Sequence, residues 1–119
     1  MTIPTQEPGQ GEVAEDRACE ILKTEGYEIV ARNWRCRTGE IDIIARDGPI
    51  LAFVEVKSRA SASFGGPAAA VNRAKQRRIV SAARSFLSTS VCDLPIRFDV
   101  VTFLGSVSRL YRDAFRAED

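Results

Sequence analysis

Residues 39–57 of this 119-residue chain read GEIDIIARDGPILAFVEVK, and this stretch decides the fold. Its outer parts are apolar runs of strand length that are rich in Ile and Val. Between them stands Asp47-Gly48, and Asp-Gly flanked by such runs is the strongest short-range signal for a β-hairpin. The sequence therefore predicts two antiparallel strands that carry charged residues where buried strands are normally apolar.

The positions of three charged residues in this hairpin follow from strand geometry. Side chains alternate across a strand, so Glu55 and Lys57 share one face. With an even number of loop residues, Ala45 pairs with Ile50. Asp42 then lies diagonal to Glu55 on the same face, and carboxylates on diagonal neighbours, roughly 7–8 Å apart at the backbone, can close on one cation. An odd loop would place the two carboxylates on opposite faces of the sheet.

Two interpretations of these charges remain open. A charged pair on a half-exposed strand is usually solvated, and Glu55–Lys57 would then be a surface ion pair that contributes little to stability. Asp42 and Glu55, however, both lie inside apolar runs. Burying a charge is costly unless the charge is paired or bound to a metal, so this context favours a metal site over a surface pair.

Longer strings in the chain carry a resemblance to a known family. An Asp followed by Glu-x-Lys on the next strand is similar to the PD-(D/E)XK nuclease pattern, although Ile41 stands where that pattern usually has Pro. The strings that extend the match are GEID (39–42), FVEVKSR (53–59), FG (64–65), RFDVV (97–101), GY (26–27) and RNWR (32–35). Together they resemble the YraN family of small bacterial proteins over about residues 12–115. That family belongs to the restriction-endonuclease-like group and is similar to archaeal Holliday-junction resolvases.

The resemblance implies a restriction-endonuclease-like fold with a metal site. Asp42 and Glu55, with the backbone carbonyl oxygen of Val56, are then the ligands of Mg²⁺ or Mn²⁺, which prefer oxygen ligands. Lys57 would orient or deprotonate the attacking water. In the resembled family an acidic residue of the first helix faces the metal, and Glu15 stands at that position. A solvated helix glutamate is the alternative interpretation of Glu15.

The rest of the chain completes an α/β pattern. Helical spacing of apolar residues predicts helices over 11–25 and 67–88, the second with Pro67 in its first turn or with Asn72 as a later cap. β-branched and aromatic runs predict further strands over 27–37, 96–104 and 107–111. The order α-β-β-β-α-β-β corresponds to a central mixed sheet flanked by helices. The strands on either side of the second helix should be parallel neighbours joined by a right-handed crossover.

The second helix is rich in basic residues that could lie along a phosphate backbone, although a solvated basic face is equally compatible with the pattern. Lys75 and Gln76 stand where related nucleases carry a polar helix residue that points into the site. The candidates for nucleic-acid binding are Arg59, Arg73, Lys75, Gln76, Arg77 and Arg78.

Composition limits the remaining choices. The chain is 45% hydrophobic and 28% charged with a net charge of +1, a composition that fits one ordinary globular domain. We expect this domain over residues 11–115, between a disordered tail (1–10) and a frayed C-terminus (116–119). The absence of histidine excludes a histidine base, a Ser-His-Asp triad and a His-ligated zinc. Three cysteines without a Cys-x-x-Cys motif indicate reduced thiols and a cytoplasmic location. No apolar run approaches the roughly 18 residues of a membrane span.

Three functions remain open at this point. The first is a Mg²⁺- or Mn²⁺-dependent nuclease that cleaves DNA, with branched or junction DNA among its candidate substrates. The second is a nucleic-acid-binding module of the same fold that performs no chemistry. The third is an interaction protein in which the hairpin charges are structural. The oligomeric state is open as well, with a homodimer as one option.

Overall fold

The computed structural model describes residues 10–59, 71–89 and 93–117, with side chains described from Val13 onward. Its elements follow the predicted order α-β-β-β-α-β-β. Their bounds are α1 Gln10–Thr24, β1 Glu28–Cys36, β2 Gly39–Asp47, β3 Ile50–Arg59, α2 Arg73–Thr89, β4 Ile96–Leu104 and β5 Val107–Phe115. Most of the predicted N-terminal tail and residues 60–70, which include the predicted helix start at Pro67, lie outside the described residues. No helix in the described ranges is long and apolar enough to cross a membrane.

Local signals set the ends of both helices. α1 ends in a Schellman motif, because Gly26 has a φ of 91° and the N–H of Tyr27 donates to the carbonyl of Leu22. α2 begins at Arg73, since the side-chain oxygen of Asn72 accepts a hydrogen bond of 2.8 Å from the N–H of Lys75. The alternative start at Asn72 is therefore the one that the structure shows.

The five strands form one mixed sheet in the order β1-β2-β3-β4-β5. Neighbouring strands are antiparallel except for β3 and β4, which are parallel, as expected for the strands on either side of α2. The prediction that the last strand ends at Tyr111 is wrong, because β5 continues to Phe115. Phe115 is buried and stacks on Phe98 of β4 with ring centroids 5.1 Å apart, which holds the end of the chain on the sheet.

The β2–β3 hairpin has an even loop, as expected, but a tighter one. Asp47 pairs with Ile50, so the loop is the two residues Gly48-Pro49. Gly48 has a φ of 61°, and Gly at the first of two loop positions is typical of a type II′ turn. Ala45 therefore pairs with Ala52 rather than with Ile50, a correction of two residues. Because the shift is even, it preserves the faces, and continuing the register places Asp42 opposite Glu55 instead of diagonal to it.

The two helices cover opposite faces of the sheet. One core cluster joins α1 to β2, β3 and β4, through residues that include Ala18, Leu22, Ile43, Val54 and Val101. The other joins α2 to the same strands on the opposite face, through residues that include Ile44, Phe53, Ile79, Ala83 and Val100. The sheet is thus the middle of three layers.

Side-chain alternation breaks within β2. Ile43 belongs to the core cluster with α1, whereas Ile41 belongs to the cluster with α2, although residues two apart in a regular strand share a face. On the neighbouring strand, Asn33 has a φ of 53°. The register pairs Arg32 with Ile43 and skips Asn33 and Asp42. Asp42 therefore has no regular partner in β1, and it lies at the position where the side chains of β2 change faces.

A buried polar network is centred on Asp99 of β4, which pairs with Val54 of β3. Asp99 is fully buried and accepts hydrogen bonds from the hydroxyl of Tyr27 (2.6 Å) and the backbone N–H of Asp113 (3.0 Å). Arg97, two residues before Asp99 in β4, donates to Asp99 at 2.8 Å and to Asp47 at 2.7 Å. Each oxygen of the Asp99 carboxylate therefore has a donor, as a buried charge requires.

Gly39, the first residue of β2, tests how closely the β1–β2 turn packs on α2. A Cβ atom at this position would lie 2.8 Å from the backbone carbonyl oxygen of Arg78. We expect Gly39→Ala to lower the free energy of unfolding by about 1–3 kcal/mol, measured by urea denaturation, because backbone must move to admit the methyl group. The exposed neighbour change Glu40→Ala is the control, and equal effects of the two changes would contradict the close packing.

Candidate functional site

A cleft of about 410 Å³ opens where β2 and β3 separate beside α1, and we call it the carboxylate cleft. It lies beyond the last pair of the β2–β3 ladder, Ile43 with Val54. The cleft brings together every residue predicted to be catalytic or to hold a metal. Its lining consists of Ala14, Glu15, Glu40, Asp42, Glu55, Val56, Lys57 and Ser58.

Asp42 is fixed in the cleft by the backbone of the neighbouring strand. Its Oδ2 accepts a hydrogen bond of 2.8 Å from the N–H of Val56. The carboxylate thus takes the place of a ladder acceptor at the point where the strands part. Burial raises the pKa of Asp42, while the N–H of Val56 and the ammonium of Lys75 lower it. The sequence therefore delivers an oriented, partly desolvated carboxylate at the end of a regular hairpin.

Glu55 is the most buried acidic group in the cleft, with 7% of its surface exposed. Burial and the neighbouring carboxylate of Asp42 raise the pKa of Glu55 to about 8, although Lys75 opposes the shift. The Nζ atom of Lys75 lies 3.6 Å from Oε1 of Glu55. Two adjacent carboxylates with a single nearby ammonium hold a proton or attract a cation, because both cannot ionise freely at low dielectric.

Glu15 points into the same cleft from α1. Its side chain is 12% exposed, and Nη2 of Arg32 lies 3.9 Å from its Oε1. Oε1 is buried, and no hydrogen-bond donor reaches it within the described part of the chain. Burial and the charge of Asp42 raise the pKa of Glu15, while Arg32 lowers it. A buried oxygen without a hydrogen-bond donor destabilises the folded protein, so a cation or a water molecule bound at this position would lower that cost.

Two lysines flank the carboxylates in different ways. Lys57 is exposed and lines the carboxylate cleft, which leaves its ammonium available to a ligand. Lys75, from the first turn of α2, is half-buried against Glu55. Lys75 therefore belongs to the site rather than to an outer basic face. Gln76 does not share that role, because its side-chain nitrogen donates to the carbonyl of Val71 at 2.8 Å.

The chemistry of this donor set fits a hard cation in part. Asp42, Glu55 and the backbone carbonyl of Val56 offer only oxygen, which is the ligand type that Mg²⁺ and Mn²⁺ prefer. Within the ranges that the structure describes, no group of three or more His, Cys, Asp or Glu side chains is arranged to hold a metal. A bound cation would therefore depend on two carboxylates, a backbone oxygen and water.

Glu40 lines the carboxylate cleft and was not among the predicted site residues. It is exposed, and its Oε2 lies 3.1 Å from Nε of Arg35. Its position two residues before Asp42 was a usable signal, since strand alternation places residues two apart on one face. The Asp and Glu-x-Lys spacing on which the prediction depended does not include this position.

The residues predicted to bind nucleic acid do not form one surface. Arg73, Gln76 and Arg77 line a cleft of about 290 Å³ that also contains Arg84 and Arg116. Arg78 lies on another side of α2, in a cleft of about 500 Å³ next to the β1–β2 turn. Arg59 ends β3 and is half-buried. Because Lys75 pairs with Glu55, the predicted basic face divides into separate regions.

Comparison with known proteins gives consistent matches over most of the chain. The model of the family described as "Uncharacterised protein family UPF0102" matches residues 14–103. A UPF0102 protein of Ralstonia nicotianae is 48% identical over 113 residues, which cover 91% of this chain and 87% of that protein. A UPF0102 protein of Cupriavidus taiwanensis is 47% identical over 96% of this chain and 90% of its own. A UPF0102 protein of Lachnoclostridium phytofermentans is 44% identical over 91% of this chain and 93% of that protein.

The raised pKa of Glu55 predicts a specific pH dependence of stability. Between its ordinary value, 4.5, and about 8, the folded protein holds a proton that the unfolded chain has lost. The free energy of unfolding should therefore fall as pH rises through this window and level off above it. Glu55→Gln cannot titrate, so its decline should be smaller than that of the parent.

Urea denaturation across this pH range, without divalent ions, measures the effect. Glu28→Gln, a change at an exposed glutamate of β1, is the matched control and should follow the parent. A Glu55→Gln profile that falls as steeply as the parent's would show that Glu55 is ionised in the folded protein at neutral pH.

Proposed function

The chain belongs to the UPF0102 family, also called YraN, and we propose that it is a metal-dependent nuclease that hydrolyses phosphodiester bonds in DNA. The observation that supports this most is the pair of adjacent carboxylates, Asp42 and Glu55, held at one end of a hairpin with the pKa of Glu55 raised to about 8. A protein gains nothing in stability from such a pair, so its presence points to a ligand that compensates the charge.

The fold supports the same proposal. A mixed sheet with a helix on each face, and acidic residues on two adjacent antiparallel strands, is compatible with the restriction-endonuclease-like fold. In that fold Mg²⁺ or Mn²⁺ would be held by Asp42, Glu55 and the carbonyl oxygen of Val56. The cation would supply stabilisation of the charge that develops on the phosphate in the transition state.

The remaining residues of the cleft would act on the water and the phosphate. Lys57, exposed on the wall of the carboxylate cleft, would orient the attacking water or hydrogen-bond a phosphate oxygen. Lys75 would hold the Glu55 carboxylate in position through their ion pair. Glu15, whose Oε1 has no hydrogen-bond donor among the described residues, would accept a hydrogen bond from water in the cleft. The exposed Arg73 and Arg77 would extend basic surface along α2.

A nucleic-acid-binding module without chemistry is the second candidate. The observation that favours it is that Lys75 already neutralises part of the charge on Glu55, while the described residues provide only a small set of metal ligands. Such a module would bind DNA in the absence of divalent ions and leave it intact.

If the protein is a nuclease, different residues should be required for metal binding and for the cleavage step. Asp42→Asn should abolish Mn²⁺ binding, measured by isothermal titration calorimetry, and with it Mg²⁺- or Mn²⁺-dependent cleavage. Lys57→Ala should retain Mn²⁺ binding but lower the cleavage rate by about 10²-fold or more, the usual contribution of one positioned proton-transfer group. The cleavage assay should use linear and branched DNA of matched sequence, because the cleft does not define the substrate's shape.

Lys23→Ala is the matched control for Lys57→Ala, because Lys23 is an exposed lysine of α1 that pairs with Glu20 at 3.6 Å and does not line the carboxylate cleft. It should cleave at the parent rate. If Lys57→Ala also cleaves at that rate, Lys57 has no part in the chemistry. If the parent cleaves none of the substrates with either metal while binding them, the second candidate function replaces the first.

A further inference from the structure

A second cleft, of about 500 Å³, adjoins the carboxylate cleft, and we call it the arginine cleft. Its charged lining consists of Arg35, Arg37, Arg78 and Glu40. Glu40 lines both clefts, so they meet at this residue. A nucleic-acid strand with one backbone phosphate at Asp42 and Glu55 could therefore continue directly into the arginine cleft.

The backbone that carries these arginines is fixed in place. Arg37-Thr38 is the two-residue loop between β1 and β2, since Cys36 pairs with Gly39. The hydroxyl of Ser81, on α2, lies 2.8 Å from that of Thr38 and hydrogen-bonds to it. The thiol of Cys36 donates to the carbonyl of Gly39 at 3.4 Å. The turn is thus anchored to α2 beside Arg78, and the arginines project from two elements that cannot easily move apart.

The arginine cleft carries surplus positive charge. Arg37 and Arg78 are exposed, and neither has a carboxylate within ion-pairing distance among the residues described. Arg35 is paired with Glu40, but the pair is open to solvent, with 74% of the Arg35 side chain and 45% of the Glu40 side chain exposed. Solvent-exposed pairs of this kind are weak, so a phosphate could displace Glu40 from Arg35. Guanidinium groups also match phosphate geometry through paired N–H donors.

We propose that Arg35, Arg37 and Arg78 form a subsite for a backbone phosphate of the strand whose reacting phosphate lies at Asp42 and Glu55. This inference rests on the proposed function, because it takes nucleic acid as the ligand of the carboxylate cleft. It places the path of the strand across the β1–β2 turn and the Arg78 side of α2. The cleft that contains Arg73, Arg77 and Arg84 is separate from this subsite.

Binding of fluorescently labelled single-stranded and duplex oligonucleotides, measured by anisotropy over a series of salt concentrations in EDTA, tests the subsite without any metal or cleavage. Arg37→Gln with Arg78→Gln should weaken binding by roughly tenfold or more. The magnitude of the slope of log K against log salt should fall by about one, because the subsite would no longer neutralise its phosphate. Glu40→Gln should act in the opposite direction, because it frees Arg35 and removes a negative charge between the clefts.

The matched control is the double change Arg46→Gln with Arg84→Gln, which also removes two exposed arginines but leaves the arginine cleft intact. It should keep the parent's salt slope, and thermal unfolding should show all variants to be folded. Equal slopes for the two double variants would overturn the subsite, as would a parent that binds neither oligonucleotide.

The same variants separate this inference from the nuclease proposal. If the parent binds through the arginines but never cleaves with Mg²⁺ or Mn²⁺, the subsite stands and the nuclease proposal fails. If the parent cleaves and Arg37→Gln with Arg78→Gln binds and cleaves like it, the nuclease proposal stands and the subsite is overturned.

Discussion

The hydrogen bond from the backbone N–H of Val56 to the carboxylate of Asp42 is the interaction on which the candidate site depends. Where β2 and β3 separate, the N–H of Val56 loses its strand partner, and a buried donor must be satisfied. The carboxylate of Asp42 accepts this hydrogen bond and is thereby fixed between the strands. Glu55 follows directly, because its place in the register brings it next to Asp42 and its burial prevents both groups from ionising freely.

Two buried acids on the neighbouring strands β3 and β4 show how the site differs from ordinary structure. Asp99 has donors from Tyr27, Arg97 and the backbone of Asp113, so its charge is fully compensated within the protein. Glu55 has one ammonium at 3.6 Å and a second carboxylate as its neighbour. The arrangement around Asp99 stabilises the fold. The arrangement around Glu55 leaves negative charge that only a proton, a cation or a ligand can compensate.

The periods of two and 3.6 residues predicted the element order and the shared face of Glu55 and Lys57, and an even hairpin loop added Asp42 to that face. Glu15 was placed at the site by the resemblance to the YraN family. The sequence could not give the register, since Gly48-Pro49 makes a tighter turn than the apolar runs alone indicate. The break in alternation at Asp42 is also absent from the residue pattern, because it arises from pairing with a distorted neighbouring strand. That Lys75 lies near the site was anticipated only through the resemblance to related nucleases, because helical spacing does not define how a helix is rotated against a sheet.

The distortion at Asn33 has a second consequence, for association between chains. β1 and β5 are the two edges of the sheet, and each is irregular: β1 has a register shift between Ile29 and Ala31 as well as the positive φ at Asn33, and β5 has a positive φ at Asp113. Flat edge strands can recruit strands from other molecules, and local kinks oppose this by breaking the row of free backbone groups. The kink that releases Asp42 thus also protects an exposed edge against aggregation.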